Sequence, residues 1–231
     1  YGAMYVSNYI GLILTQLISI LKGSPVTNTM LEVATSSNLW VNLFIMVLCA
    51  PVAEELIFRK LLIDRLAQYG EGVAVLFSGL MFGLFHGNLN QFVYAFVLGL
   101  CFGFIYVKTG NIRYTIGLHM LVNFLGSVLG VAILKWLGDD FLSIASDPAG
   151  MMSYMTGNFG KLIVYFIYIF LLLGVAIAGI ILFIVNLKKI RFQSGMNTIP
   201  KGKRFSTTVL NVGMALYMIV WIVIIIVQLF Q

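Results

Sequence analysis

The long apolar segments of this chain restrict the folds that it can adopt. Windows of about 20 apolar residues are long enough to cross a bilayer as helices. Seven such segments are predicted, approximately 4–21, 39–68, 73–87, 91–108, 112–137, 159–187 and 208–230. Only 10% of the residues are charged, whereas roughly a quarter are charged in soluble domains. The sequence therefore predicts an all-α, polytopic transmembrane bundle of about seven to eight helices.

The connections between these segments are too short to hold a second domain. The longest, about 22–38, 138–158 and 188–207, each have fewer than roughly 25 residues. We therefore interpret residues 1–231 as a single membrane-embedded domain. Because the first residue is Tyr1 rather than methionine, we expect native sequence before it, and seven helices is a minimum count.

The basic residues indicate orientation in a membrane rather than binding to nucleic acid. They lie at segment ends and in one loop, not along one face. That loop carries Lys188, Lys189, Arg191, Lys201, Lys203 and Arg204. The positive-inside rule places it in the cytoplasm. Alternation then puts Arg59, Lys60, Arg65, Lys108 and Arg113 on the same side, and Lys22, Lys135, Lys161, Asp139, Asp140 and Asp147 outside. We expect a bacterial cytoplasmic membrane.

Two adjacent glutamates occur in the second segment, which we predict to be a helix kinked at Pro51. An ionisable group in a spanning helix costs ~2.5–3.5 kcal/mol on insertion scales, so it invites a functional interpretation. Glu55 and Arg59 are four residues apart and share a helix face, whereas Glu54 points elsewhere. We therefore predict a Glu55–Arg59 pair and a free Glu54. The alternative is that this group is merely the charged, cytoplasmic end of a helix.

The only two histidines of the chain, His86 and His119, each lie in an apolar segment. His119 and Asn123 are four residues apart and face the same way. Taken singly, each histidine could be an interhelical hydrogen-bond donor. Their occurrence on successive segments after the glutamate pair favours a joint site. We attribute Ser78, two turns before His86, to helix packing.

Such a set of residues supports hydrolysis by an activated water. A carboxylate in a low-dielectric pocket is a suitable general base, and a neutral histidine can orient the same water. A second histidine with an asparagine amide can stabilise the oxyanion. Alternatively, Glu54, His86 and His119 could bind zinc, although no His-Glu-x-x-His motif is present. No serine or cysteine is placed as a covalent nucleophile.

Three ordered motifs resemble those of a known family. Glu54-Glu55-x-x-x-Arg59, Phe82-x-x-x-His86 and His119-x-x-x-Asn123 resemble the CAAX protease and bacteriocin-processing (Abi) family of intramembrane proteases, over residues 45–130. The resemblance implies about eight membrane helices and a mechanism without metal or other cofactor. It also implies that Glu54 and His86 activate water, that His119 and Asn123 form the oxyanion hole, and that Glu55 and Arg59 support them.

Our leading hypothesis is a membrane-embedded peptidase with a polar cavity that opens toward the cytoplasm and with a peptide or lipid-modified protein as substrate. The prenyl endopeptidases of the family that the motifs resemble remove the last three residues of prenylated CAAX C-termini, and other members process bacteriocins or confer resistance to them. The rival hypothesis is a non-catalytic scaffold or bacteriocin-immunity protein that recruits partner membrane proteins. A transporter is a third hypothesis, but we find no paired repeats.

The predicted depths of the site residues fit poorly with straight helices. Arg59 and Arg113 mark the predicted cytoplasmic surface, and Glu54 and His119 lie roughly 8–9 Å below it. His86, by contrast, is separated from Glu71, at the cytoplasmic end of its own segment, by more than about 20 Å. We therefore expect the third segment to start well outside the bilayer or to tilt strongly. We predict that His86 and Glu54 nevertheless come within reach of one shared water.

Overall fold

The computed structural model describes residues 1–138, 141–145, 147–197, 199–203, 206–207 and 210–230, without the side chains of Leu142 and Lys201. Every regular element in these ranges is helical, which confirms the all-α prediction. Asp139, Asp140 and Arg204, whose sidedness was predicted above, lie outside the described residues.

We number nine helices within the described residues. They are α1 (Gly2–Lys22), α2 (Thr29–Ser36), α3 (Leu39–Tyr69), α4 (Glu71–Phe85), α5 (Leu89–Thr109), α6 (Ile112–Leu137), α7 (Phe141–Ile144), α8 (Pro148–Asn186) and α9 (Val212–Leu229).

Six of these helices, α1, α3, α5, α6, α8 and α9, are long and apolar enough to cross a membrane. The prediction of an integral membrane protein is thereby confirmed, but the count of seven to eight spanning helices is not. The segment predicted at 73–87 forms α4, which has only 15 residues. Glycines with positive φ, Gly70 (115°) and Gly87 (64°), limit it at both ends. The predicted loops 22–38 and 138–158 also contain α2, α7 and the start of α8.

Helix α3 continues through Pro51, where a kink was predicted. Cys49 and Ala50 before Pro51, and Leu56 after it, keep right-handed helical backbone angles. Two π-helical segments, Asn42–Cys49 and Leu56–Ile63, lie on either side of it. Proline removes one backbone donor, and a wider π turn shifts the neighbouring hydrogen bonds by one residue. The helix thus continues past the proline, with a π-helical segment on each side of the short stretch that carries the glutamates.

Small residues bring α4 and α5 into close contact as an antiparallel pair. A Cβ added at Gly99 would lie 2.7 Å from the Cα atom of Gly79, and one at Gly83 would lie 2.9 Å from the Cβ atom of Phe96. Glycines spaced by four residues allow this approach in membrane helices. The hairpin fixes the position of the end of α4, where His86 lies.

The two ends of the bundle are tied by polar contacts that agree with the predicted alternation of helices. At one end, Glu71 pairs with Lys108, and its carboxylate accepts a hydrogen bond from the backbone N–H of Gln193 at 2.9 Å. At the other end, Lys22 donates to the Leu229 carbonyl at 2.7 Å. The loop after α8 thus lies beside the start of α4, as alternation requires. Which end faces the cytoplasm stays a prediction.

Candidate active site

Three helices contribute the polar residues that the sequence singled out. Helix α3 carries Glu54, Glu55 and Arg59, α6 carries His119 and Asn123, and His86 caps α4. Their burial divides them into two groups. Glu55, Arg59 and His119 are buried, whereas Glu54, His86 and Asn123 are half-buried. Only the second group therefore has appreciable surface for water or a substrate to contact.

The predicted pair of Glu55 and Arg59 is present at the centre of the site. Arg59 Nε lies 3.0 Å from Glu55 Oε2, and both side chains are 0% exposed. The pair is ionic rather than a well-aligned hydrogen bond, since neither atom meets hydrogen-bond geometry. Because α3 runs ten residues beyond Arg59 to Tyr69, the alternative of a charged helix end is wrong. These charges are buried in mid-helix.

Two phenylalanine rings enclose the Arg59 guanidinium. Its central carbon lies 4.5 Å from the Phe82 ring centroid and 5.6 Å from that of Phe102. A desolvated cation over an aromatic face gains about 2 kcal/mol or more. Neither Nη atom has a hydrogen-bond partner among the described residues. Aromatic faces and one carboxylate thus compensate a fully buried charge.

His119 lies between the two carboxylates. Its Nδ1 is 3.0 Å from Glu55 Oε1, and its Nε2 is 3.7 Å from Glu54 Oε2. The sequence predicted that Glu54 would point elsewhere, but both glutamates approach the same ring. Adjacent helical residues point about 100° apart. The His119 ring can nevertheless reach both glutamates, because its two nitrogens lie on different edges of the ring. Glu54 Oε2 has no hydrogen-bond partner among the described residues.

The contact with Glu55 fixes which nitrogen of His119 carries a proton. An ionised carboxylate only accepts hydrogen bonds, so Nδ1 donates, an assignment made from geometry. Nε2 can then donate to a substrate only when the ring is doubly protonated. In that state His119 and Arg59 balance the charges of Glu54 and Glu55. A neutral total charge reduces the cost of burying four ionisable groups.

His86 is held by backbone rather than by charge. Its Nδ1 lies 2.8 Å from the Phe82 carbonyl, which can only accept, so Nδ1 carries the proton. Nε2 is then an acceptor in the neutral ring. The Phe82 ring lies between the two histidines, with its centroid 4.9 Å from that of His86 and 5.6 Å from that of His119. One aromatic ring thus orders both imidazoles.

The register of α3 and α4 accounts for the depth problem. Ser78 Oγ donates to the Phe58 carbonyl at 2.8 Å, which sets these residues at one level and confirms the packing role of Ser78. Glu54 precedes Phe58 by four residues, and His86 follows Ser78 by eight, so both lie on the side of this level away from Gly70. Their axial offset is therefore about 6 Å. The shared water between Glu54 and His86 stays a prediction, now with a smaller gap to bridge.

Asn123 faces α3, one helical turn from His119. Its Nδ2 donates to the Met46 carbonyl at 2.7 Å, which uses one of two amide hydrogens. Its own backbone carbonyl accepts from Ser127 Oγ at 2.7 Å. The second amide hydrogen is available for the predicted role in the oxyanion hole.

The zinc alternative requires Glu54, His86 and His119 to converge on one point. Among the described residues, no three His, Cys, Asp or Glu side chains come together as a metal set. Nδ1 of each histidine faces a protein oxygen, an orientation that metal-binding histidines also show, so it does not distinguish the two mechanisms. The three side chains do not converge on one point among the described residues, and the absence of zinc stays a prediction.

Two features of the site were not predicted from the sequence. Phe102 lies against both Arg59 and His119, with its ring centroid 5.5 Å from the His119 ring. The chain has 18 phenylalanines, so nothing in the sequence distinguished this one. Asn42, fully buried on α3, did give a signal, because it is a polar residue in an apolar run.

Comparisons with known proteins bear on the segment that holds this cluster. Residues 36–125 match the family model of type II CAAX prenyl endopeptidases described as Rce1-like. The chain is similar to the membrane-embedded CAAX protease MroQ of Staphylococcus aureus (strain USA300), with 26% identity over 153 residues, 63% of this chain and 59% of MroQ. It is also similar to the putative membrane peptidase YdiL of Bacillus subtilis (strain 168), with 32% identity over 74 residues, 32% of this chain and 30% of YdiL.

Both alignments span less than two thirds of the relatives' own lengths. No solved structure matches the chain. The matched segment nevertheless includes all six candidate site residues, from Glu54 to Asn123. Residues 36–125 are therefore similar to the Rce1-like CAAX protease family, which confirms the resemblance that the three motifs predict.

Proposed function

We propose that this protein is an intramembrane endopeptidase in which Glu54 activates a water molecule. The observation that carries the proposal is the Glu54 carboxylate itself. It stands in the middle of a spanning helix, its side chain is 18% exposed, and its Oε2 lies 3.7 Å from His119 Nε2 without a hydrogen-bond partner among the described residues. A general base needs such an unused oxygen within hydrogen-bond reach of the water that it activates.

The proposed reaction begins with water between Glu54 and His86. Glu54 removes a proton, while the free Nε2 of His86 accepts the second hydrogen bond and orients the oxygen. The oxygen then attacks the carbonyl carbon of the scissile peptide bond. When the tetrahedral intermediate collapses, the C–N bond breaks and Glu54 returns its proton to the departing amine. The carboxylate is thus regenerated, and the two products together contain one added water.

The developing oxyanion needs donors in a site that excludes bulk water. The doubly protonated His119 supplies Nε2–H, and Asn123 supplies its second amide hydrogen. Each such donor is typically worth about 10²–10³ in turnover. Glu55 and Arg59 support this step from behind the ring, since Glu55 holds Nδ1 and Arg59 holds Glu55.

The substrate that we propose is a membrane-associated peptide or a lipid-modified protein C-terminus. The name of MroQ describes a membrane-embedded CAAX protease, and both relatives come from bacteria. We therefore propose a bacterial cytoplasmic membrane, and the basic loop after α8 supports a site that faces the cytoplasm. Lipid surrounds the bundle and delivers such a substrate laterally.

Substitution of the base tests this function. The Glu54→Gln variant keeps size and polarity but cannot take a proton, so we expect cleavage of a membrane peptide library in proteoliposomes to disappear. Glu32→Gln is the matched control, because Glu32 is exposed on α2. Undiminished cleavage by Glu54→Gln would refute the assignment of the base.

A further inference from the structure

Asn42 is a fully buried polar side chain in an otherwise apolar helical segment. Its Nδ2 donates to two backbone carbonyls, that of Ala34 at 2.7 Å and that of Ser127 at 3.1 Å. Both amide hydrogens are therefore used. Its Oδ1 is buried and has no hydrogen-bond partner among the described residues. The Asn42 side chain thus acts as a hydrogen-bond donor rather than as an acceptor.

Asn42 and Asn123 cross-link α3 and α6 reciprocally. Asn42 on α3 donates to the carbonyl of Ser127 on α6, while Asn123 on α6 donates to the carbonyl of Met46 on α3. The members of each helix are four residues apart, so they lie on one face. Ser127 Oγ closes the arrangement by donating to the Asn123 carbonyl at 2.7 Å.

Both acceptor carbonyls lie in π-helical segments. Met46 belongs to the segment Asn42–Cys49, and Ser127 to the segment Phe124–Gly130. A π turn disturbs the regular backbone ladder and leaves carbonyls that need other donors. In a membrane these groups must be satisfied by protein, because lipid offers no donor. Each asparagine amide therefore pairs with a carbonyl of the facing helix and fixes the register of the two helices.

We propose that Asn42 is a positioning residue that holds the Asn123 amide in place through the reciprocal contacts between α3 and α6. The inference rests on the proposed function for its catalytic meaning, since Asn123 would stabilise the oxyanion. Among the described residues, neither hydrogen bond of Asn42 goes to a residue that we place in the reaction. Removal of its donors releases Ser127, and with it the turn of α6 that carries Asn123.

The first test reads the Asn123 side chain without reference to activity. Protein labelled with ¹⁵N-asparagine in micelles gives side-chain amide signals, and the Asn123→Ala variant identifies that of Asn123. We expect the Asn42→Leu variant, which is similar in size but has no donor, to shift this signal and accelerate its hydrogen exchange about tenfold or more. An unchanged signal would overturn the inference.

A matched control and a milder variant keep this test interpretable. Gln228→Leu also removes a buried amide, which donates to the Thr27 carbonyl at 3.0 Å, and should leave the Asn123 signal unchanged. Should Asn42→Leu fail to fold, Asn42→Ser retains one short donor and should give a smaller shift in the same direction. Equal shifts in the Asn42 variants and the Gln228 control would count against a specific role.

The kinetic test separates positioning from general destabilisation. We expect Asn42→Leu to lower kcat about tenfold with KM nearly unchanged, and to have no further effect in an Asn123→Ala background. The same loss in both backgrounds would overturn the inference. If the wild-type protein cleaves no peptide but the Asn123 signal still depends on Asn42, the proposed function fails while the positioning contact stands.

Discussion

The two histidines of this protein are held in place by different regions and in different ways. His119 lies at the interface of α3 and α6, where buried charges, asparagine amides and π-helical turns meet. His86 ends the α4–α5 hairpin, which is closed by glycine contacts, and among the described residues its ring hydrogen-bonds a single backbone carbonyl. The first region gains orientation from directed polar contacts, and the second from steric fit. The difference suits the donor role proposed for His119 and the acceptor role proposed for His86.

Removal of His86 should affect turnover more than any other change in the hairpin. The His86→Ala variant loses the acceptor that orients water, so we expect kcat to fall by about 10²–10⁴. The melting temperature should change little, since the ring is half-buried and its one hydrogen bond within the described ranges goes to the Phe82 carbonyl. Full activity in this variant, measured by peptide cleavage, would favour the scaffold hypothesis instead.

The α3–α6 region should lose stability when the Arg59 cation is removed. Arg59→Leu removes the cation paired with Glu55 Oε2 and leaves the buried cluster with an excess negative charge, which costs about 3–5 kcal/mol. We expect a lower melting temperature of the purified protein together with loss of activity. Lys60→Leu is the control, because Lys60 is an exposed neighbour paired with Asp64. Equal melting temperatures for the two variants would contradict the structural role of Arg59.

The α4–α5 hairpin should lose stability when a larger side chain is placed at its closest helix contact. A Cβ at Gly99 would lie 2.7 Å from the backbone of Gly79, so Gly99→Val should destabilise the protein by about 1–3 kcal/mol through overpacking. Gly117→Val is the control, since nothing lies within 4 Å of a Cβ added there. Thermal unfolding measures both, and a Gly99→Val variant as stable as the control would show that the hairpin is not closed by small residues.

The smallest effect should come from removal of metals. Because the three potential zinc ligands do not form a metal set among the described residues, we expect a chelator to leave cleavage unchanged. Metal analysis of the purified, active protein is the matching measurement. Stoichiometric zinc with chelator-sensitive cleavage would require Glu54, His86 and His119 to rearrange around a metal.

The sequence predicted the parts of the structure that depend on local spacing. The all-helical class follows from the apolar segments, and the Glu55–Arg59 pair follows from a separation of four residues. The predicted count of spanning helices was not exact, because hydropathy does not register the glycines that limit α4 to 15 residues.

The remaining features depend on contacts between helices, which spacing along the chain does not encode. The approach of Glu54 to His119 required the packing of α3 against α6, and the shift of α4 relative to α3 required the Ser78–Phe58 hydrogen bond. Phe102 became recognisable only when its ring was seen against Arg59 and His119. The roles of the six site residues in catalysis stay predictions.

The division of labour between two adjacent glutamates is the central claim, and one pair of variants tests it directly. Turnover and melting temperature should be measured side by side for Glu54→Gln and Glu55→Gln. We expect Glu54→Gln to abolish turnover at an unchanged melting temperature, and Glu55→Gln to lower the melting temperature because Arg59 then lacks its counter-charge. An active Glu54→Gln variant, or a Glu55→Gln variant as stable as the wild type, would contradict this account.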